Sequence, residues 1–172
     1  MLSIVILALT VCFAEDPTAL IFAAMLHEAA HLALGLLFFS RLPELSFSLC
    51  GLRMTWEGNG RAAEDILLSV AGPGVNLLMW ILLPKDSILA AYSLSLAVFN
   101  LLPAKGLDGG EIIKNLSRCL LGIRAEEKIC AFVTAAAVGS VFFLNCAVQL
   151  TAQPNLPLLF VTLFLIIRTY GK

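Results

Sequence analysis

The sequence has few charged residues: 13% of its 172 residues are Asp, Glu, Lys or Arg, and 60% are hydrophobic. A soluble domain is about 25% charged and about 45–50% apolar. The sequence also has no basic patch of the kind that nucleic-acid-binding proteins present. The composition therefore predicts an integral membrane protein, with one domain over residues 1–172, that contacts the lipid bilayer and has no nucleic-acid partner.

Residues that bind soft metal ions are scarce. The five cysteines form no Cys-x-x-Cys pair, so we interpret them as small buried apolar residues. They are Cys12, Cys50, Cys119, Cys130 and Cys146. The chain has only two histidines, and both lie in the motif His27-Glu28-Ala29-Ala30-His31, inside an apolar run over 19–39.

The spacing of this motif favours a metal site. Helical residues four apart lie about 40° from each other and about 6 Å apart along the axis, so both imidazoles share one face. Glu28 lies about 100° further round, where its carboxylate can reach a water molecule at the metal. A zinc hydrolase needs this combination of nitrogen ligands and a base. The alternative, a pair of core histidines with an incidental Glu28, leaves three ionisable groups without a role in a lipid-length helix, which is costly.

The apolar segments predict an all-α membrane protein with about six transmembrane helices. These segments are Met1–Ala14, Thr18–Phe39, Ala63–Leu83, Ser87–Leu102, Ala125–Leu150 and Leu156–Ile167. The first is short for a hydrocarbon core of about 30 Å. It resembles a signal peptide in length, but no basic residue precedes it, which favours an uncleaved thin span. The mildly amphipathic stretch Glu111–Gly122 predicts an interfacial helix.

Alternating polar and apolar residues over 45–56 predict a small β-hairpin. A lone hairpin is only marginally stable in water, so we expect it to be associated with the membrane helices. An interfacial loop with accidental alternation is the alternative. A two-residue turn at Cys50-Gly51 would pair Leu49 with Leu52, Phe47 with Met54 and Leu45 with Trp56.

Two further stretches place polar groups beside the predicted spans. Pro73 removes a backbone donor in mid-helix, and the glycines on either side of it allow a neighbouring helix to come close. Asn76 follows one turn later; a kink with an interhelical hydrogen bond is the plain alternative. Asp108 lies among glycines directly after the fourth segment, where a simple turn is the plain alternative.

Two histidines leave a catalytic zinc ion one protein ligand short. We expect each of the other carboxylates to lie elsewhere: on the side of the membrane with few basic residues, near water, or in basic stretches that offer them partners. Asp108 alone follows a span directly, on the same predicted side as the metal motif, with glycines that let the backbone bend inward. We therefore predict that Asp108 is the third ligand, with Cys50 and Glu111 as the alternatives.

Taken together, three ordered motifs resemble the site-2 protease family of intramembrane zinc metalloproteases. They are the His-Glu-x-x-His helix, the Gly-Pro-x-x-Asn helix, and the Asn-Leu-Leu-Pro stretch followed by Leu-Asp-Gly-Gly, within residues 20–112. The six-span layout is similar to the branch that contains the bacterial sporulation protease. The resemblance implies that zinc is bound by His27, His31 and Asp108, that Glu28 is catalytic, and that Asn76 and Asn100 line the substrate cleft.

The resemblance also implies a function. The expected reaction is hydrolysis of peptide bonds in transmembrane or membrane-anchored protein substrates near the cytoplasmic side, as in regulated intramembrane proteolysis. The expected location is a bacterial cell membrane, crossed several times. A non-catalytic membrane metal-binding or transport protein is the alternative, and a structural scaffold is a third. The intact Glu28 argues against both, because metal binding alone does not need that carboxylate.

The basic residues predict the orientation. Ten of the eleven fall in three regions that alternate spans place on one side: three in 41–61, five in 105–128 and two in 168–172. That side should be the cytoplasm. A cysteine introduced at Asp86 should therefore react with a membrane-impermeant reagent outside intact cells, whereas cysteines introduced in 41–61 and in the tail should be protected. Labelling of the tail alone would require an odd number of spans after the second segment.

Overall fold

The computed structural model describes residues 14–39, 44–48, 51–55, 62–151 and 155–170. Within these residues the chain forms six helices and one two-stranded sheet. In chain order they are α1 (Pro17–Phe39), β1 (Glu44–Ser48), β2 (Gly51–Thr55), α2 (Ala62–Leu82), α3 (Ile88–Asn100), α4 (Asp108–Leu121), α5 (Ile123–Thr151) and α6 (Leu156–Tyr170). The predicted first segment lies outside the described residues, apart from Ala14.

Three of the described helices contain stretches long and apolar enough to cross a membrane. These stretches comprise 22 residues in α1, 21 in α2 and 28 in α5. Shorter apolar stretches occupy Ile88–Asn100 in α3 and Leu156–Ile167 in α6. The predicted all-helical membrane architecture is therefore found, and the count of six spans stays a prediction.

The helix that carries the histidines begins at a capped N-terminus. The Asp16 carboxylate accepts hydrogen bonds from the backbone N–H groups of Thr18 and Ala19, at 3.0 and 3.2 Å, and from the Thr18 hydroxyl at 2.6 Å. Pro17 occupies the first helical position, where a missing donor costs nothing. The Thr18 hydroxyl and the backbone N–H of Ala19 together hold the pKa of Asp16 below its usual value. The ionised cap fixes where α1 starts.

α2 occupies the centre of the helical packing. It contacts α1, α3 and α4, while α1 also packs on α3, α4 on α5, and α5 on α6. α1 and α3 share one buried apolar cluster, in which Leu20, Ala23 and Ala24 of α1 pack with Leu96 of α3. This arrangement brings the first turn of α4 and the middle of α1 to the same helix, α2.

The connection between α3 and α4 differs from the prediction. α4 begins at Asp108, three residues before the predicted start at Glu111, and α3 ends at Asn100 rather than Leu102. Glycine weakens a helix by about 1 kcal/mol relative to alanine, and a turn at Asp108 was the plain alternative in the sequence analysis. Close packing outweighs that cost, because a Cβ atom on Gly109 would lie 2.7 Å from the Leu102 carbonyl oxygen and closer still to that of Leu101.

The strand segments pair with a different register from the predicted one. β1 and β2 are antiparallel, and Gly51, which was predicted to lie in the turn, is paired with Ser48. Relative to the predicted register, one strand is shifted along the other by two residues. Because the side-chain period of a strand is two, apolar residues are again opposite apolar residues. The backbone partners are Glu44 with Thr55, Leu45 with Met54, Ser46 with Arg53, Phe47 with Leu52 and Ser48 with Gly51.

An ion pair joins α4 to α5 on either side of Gly122, whose φ of 82° favours glycine. Arg118 binds Glu126 through two hydrogen bonds of 2.7 and 3.1 Å. Within α4, Lys114 binds Glu111 at 2.6 Å. The sequence predicted ready partners for the acidic residues of this stretch, and these two pairs provide them.

Gly109 provides a test of the packing at the start of α4. Gly109→Ala should lower the melting temperature in detergent, with a loss of about 1–3 kcal/mol, because the new methyl group overlaps the Leu101 carbonyl. The matched control is Gly139→Ala in α5, where an added Cβ meets nothing within 4 Å. The control should be neutral or stabilising, by up to about 1 kcal/mol. Equal effects of the two substitutions would contradict the close approach at Gly109.

Candidate metal centre

The structure brings together the three predicted ligands. His27 and His31 lie on one face of α1, and Asp108 lies in the first turn of α4; the three residues are 1%, 7% and 6% exposed. The two Nε2 atoms are 3.2 Å apart. Asp108 Oδ2 lies 3.2 Å from the Nε2 of His27 and 3.4 Å from that of His31. These three atoms form a compact triangle, the only group of three His, Cys, Asp or Glu ligand atoms within 4.8 Å of one another among the described residues.

The triangle fits a tetrahedral metal ion. Zinc binds imidazole nitrogen and carboxylate oxygen at about 2.0–2.2 Å, so two ligand atoms of one tetrahedral ion are about 3.3–3.6 Å apart. The three observed separations, 3.2, 3.2 and 3.4 Å, are close to that spacing. Three protein ligands also leave the fourth position of the tetrahedron open, as catalytic zinc sites do. Both the size and the chemistry of the donor set suit zinc.

A backbone carbonyl determines which nitrogen of His31 is available. His31 Nδ1 lies 2.8 Å from the carbonyl oxygen of Leu68 on α2. A carbonyl oxygen can only accept, so Nδ1 must carry the proton and donate it. The lone pair of the neutral ring is then on Nε2, the atom that faces Asp108. Histidine ligands of metals usually have their second ring nitrogen held in this way.

His27 is held by a side chain of the same helix, α2. Its Nδ1 lies 3.2 Å from the amide of Asn76, which is fully buried. The sequence predicted a polar group at this place in the membrane, and the structure shows that the group contacts a predicted ligand. α2 therefore contacts both imidazole rings from behind, at Leu68 and at Asn76, although it supplies none of the three ligand atoms.

Gly72 makes room for the two rings. A Cβ atom at this position would lie 2.6 Å from His27 Nε2 and closer still to His31 Nε2. The sequence predicted that the glycines beside Pro73 would allow a neighbouring helix to come close, and at Gly72 the neighbour is the histidine pair of α1. Gly74, two residues later, has ordinary space around it, since the nearest atom to its Cβ position is 4.0 Å away.

Glu28 follows His27 directly on α1 and is partly buried. It does not belong to the ligand group found among the described residues, which suits a base rather than a ligand. Of the two alternative ligands, Glu111 binds Lys114 at 2.6 Å, and Cys50 lies outside the described residues.

Asn100, the second predicted substrate contact, is fully buried at the end of α3. Its Nδ2 donates a hydrogen bond of 2.9 Å to the carbonyl oxygen of Leu96, one turn earlier. The Oδ1 atoms of Asn100 and Asn76 have no hydrogen-bond partner within the part of the chain that the structure describes. A buried amide without its full set of hydrogen bonds is uncommon, and such groups concentrate at functional sites.

Comparisons with known proteins bear on this site. The family model of peptidase family M50 matches residues 86–144, about a third of the chain, which include Asn100 and Asp108 but not the two histidines. The fold is similar to the site-2 protease from Methanocaldococcus jannaschii, with a TM-score of 0.65 and 19% sequence identity, over 96% of this chain and 83% of that one. No curated protein matches the chain.

The comparisons confirm the resemblance to site-2 proteases that the three motifs predict. At 19% identity, the structural match shows a shared fold. The family match covers the segment that carries Asp108, the residue that was predicted by elimination. Together with the apolar helices and the His-His-Asp triangle, they support an integral membrane metalloprotease.

The close approach of the two histidine rings to Gly72 can be tested by substitution. Gly72→Ala should push both imidazole rings away from Asp108, and we expect zinc affinity to fall about tenfold or more, as is usual when the groups that orient metal ligands are disturbed. Zinc binding to the purified chain is measured by competition with a chelating dye. Gly74→Ala is the matched control on the same helix and should bind zinc as the unsubstituted chain does. Undiminished zinc binding by Gly72→Ala would contradict the packing described here.

Proposed function

We propose that the chain is a zinc metalloendopeptidase that cleaves transmembrane or membrane-anchored proteins near the cytoplasmic side of a membrane that it crosses several times, a bacterial cell membrane. The observation that carries the proposal is the buried triangle of His27, His31 and Asp108, with spacings of 3.2–3.4 Å; Glu28 follows His27 directly on the same helix. The M50 match and the fold similarity to a site-2 protease support it.

Zinc is the proposed cofactor, held by His27, His31 and Asp108. When bound, a zinc ion polarises the scissile carbonyl and makes water acidic enough to lose a proton near neutral pH. The charge of the ion also offsets the cost of keeping the Asp108 carboxylate buried.

Glu28 is the proposed base. It lies one residue from His27 on the same helix, so it stands beside the ligand triangle without joining it. In this role it takes a proton from the attacking water and delivers it to the leaving amine. Both steps require a carboxylate that reaches the substrate rather than one that binds the metal, which agrees with its absence from the ligand group.

The burial of the site limits the substrates that it can accept. The ligand residues are at most 7% exposed, so a peptide bond must be unwound from a helix before it can reach them. An extended segment can add a strand to an exposed sheet edge. The β1–β2 sheet has two strands in the described residues and is the proposed docking edge. Asn100 is proposed to line the cleft beyond it. Asn76, which was predicted to line the cleft as well, contacts His27 Nδ1.

Removal of the Glu28 charge tests the proposed mechanism. Glu28→Gln keeps the size of the side chain but cannot accept a proton, so cleavage of a membrane-anchored substrate should fall below detection while zinc remains near one ion per chain. Cleavage is followed by the appearance of a shortened substrate in a detergent or vesicle assay, and zinc by elemental analysis.

Two further variants serve as controls. Glu127→Gln changes an exposed carboxylate on α5 in the same way and should leave cleavage unchanged. Asp108→Ala removes a proposed ligand and should lose both zinc and cleavage. Cleavage at the normal rate by Glu28→Gln would contradict the proposed base. Zinc binding without cleavage by the unsubstituted chain, tested with several membrane-anchored substrates, would favour a metal-binding or transport protein.

A further inference from the structure

The two histidines are held through their Nδ1 atoms by different kinds of group. His31 faces the Leu68 carbonyl, which can only accept a hydrogen bond. His27 Nδ1 lies 3.2 Å from Asn76 Nδ2, and the amide oxygen of Asn76 has no partner among the described residues. The oxygen and nitrogen exchange places when the amide group turns by 180°, so this side chain can present either a donor or an acceptor to the ring. The backbone thus dictates the state of one ring, and a side chain dictates that of the other.

The ligand triangle decides between the two amide orientations. A metal ion on His27 Nε2 leaves the proton of the ring on Nδ1, and only the amide oxygen of Asn76 can accept that proton. As the amide group is placed, Nδ2 faces His27 Nδ1; in that orientation it donates to Nδ1, and the ring proton is on Nε2, the atom that lies 3.2 Å from Asp108 Oδ2 and 3.2 Å from His31 Nε2. A ring in that state cannot bind the ion.

We propose that Asn76 is a positioning residue of the metal centre, whose amide oxygen accepts a hydrogen bond from His27 Nδ1–H and so keeps Nε2 directed at the metal. The proposal rests on the metal site of the proposed function and adds a residue to it. Asn76 is fully buried, and it contacts the Nδ1 edge of the His27 ring, whereas Nε2 at the other edge faces Asp108. Its effect on the reaction therefore passes through His27.

Three substitutions separate this role from others. Asn76→Leu has a similar volume and no hydrogen-bonding group, and zinc should bind about 10–100-fold more weakly, as when comparable supporting groups of metal sites are removed. Asn76→Asp keeps an oxygen acceptor but has no amide N–H, and its zinc affinity should stay near that of the unsubstituted chain. Asn145→Leu removes another buried asparagine, on α5, and should leave zinc affinity unchanged.

A spectroscopic readout follows the hydrogen bond itself. The chain has two histidines, so ¹⁵N-histidine labelling of a chain purified without a histidine tag gives two Nδ1–H proton signals at saturating zinc. In Asn76→Leu one signal should move upfield, because its acceptor is gone, and in Asn76→Asp the same signal should move downfield. The other signal, from His31 and Leu68, should stay in place and reports that α1 and α2 still pack normally.

The outcomes are distinct. Normal zinc affinity in Asn76→Leu, or two unmoved Nδ1–H signals, overturns the proposal. Weak zinc binding in Asn76→Asp as well as in Asn76→Leu also overturns it, because the acceptor oxygen would then not be the group that matters. A chain that shows the expected shifts and zinc affinities but cleaves no substrate contradicts the proposed protease and leaves the positioning role intact.

Discussion

Three buried atoms that carry lone pairs, two imidazole nitrogens and a carboxylate oxygen, lie within 3.4 Å of one another, and the rest of the molecule depends on that arrangement. Such atoms repel each other in an apolar interior unless a proton or a metal ion lies between them, and the interior of a membrane protein screens the repulsion poorly. The helices must therefore hold the triangle together before an ion arrives. The packing of α1, α2 and α4 provides that force.

α2 shows how much of a metal site can lie outside its ligands. Gly72 has no side chain and so leaves room for both histidine rings. The backbone carbonyl of Leu68 contacts the His31 ring, and the amide of Asn76 contacts the His27 ring. Pro73 is buried within the same turn of this helix. A segment that looks like a kinked transmembrane helix is therefore the frame that orients both rings.

The features that depend on local spacing could be predicted from the sequence. His27 and His31 share a helical face because they are four residues apart, and Asp108 could be found by elimination because every other carboxylate had a reason to lie elsewhere. The start of α4 could not be predicted, since two consecutive glycines argue against a helix unless the close carbonyls of the preceding turn are known. The register of the strand pair could not be predicted for a related reason. The predicted and the observed registers both place apolar residues opposite apolar residues, and the residues of the expected turn did not distinguish between the two. The contact between Asn76 and His27 joins residues 49 apart, and it depends on how α1 and α2 are rotated against each other.

The separation of the ligands along the chain has a consequence for the order of events during synthesis. The two histidines are made first, and Asp108 follows His31 by 77 positions. At about 5–20 residues per second, translation needs roughly 4–15 s to cover that distance. An ion that reaches α1 in this interval finds two nitrogen ligands and no carboxylate, and α2 and α3 must enter the membrane before α4 can deliver the third. Metal capture in its final form is thus a late step of biogenesis, and a nascent chain that stops before α4 cannot hold the ion as the finished protein does.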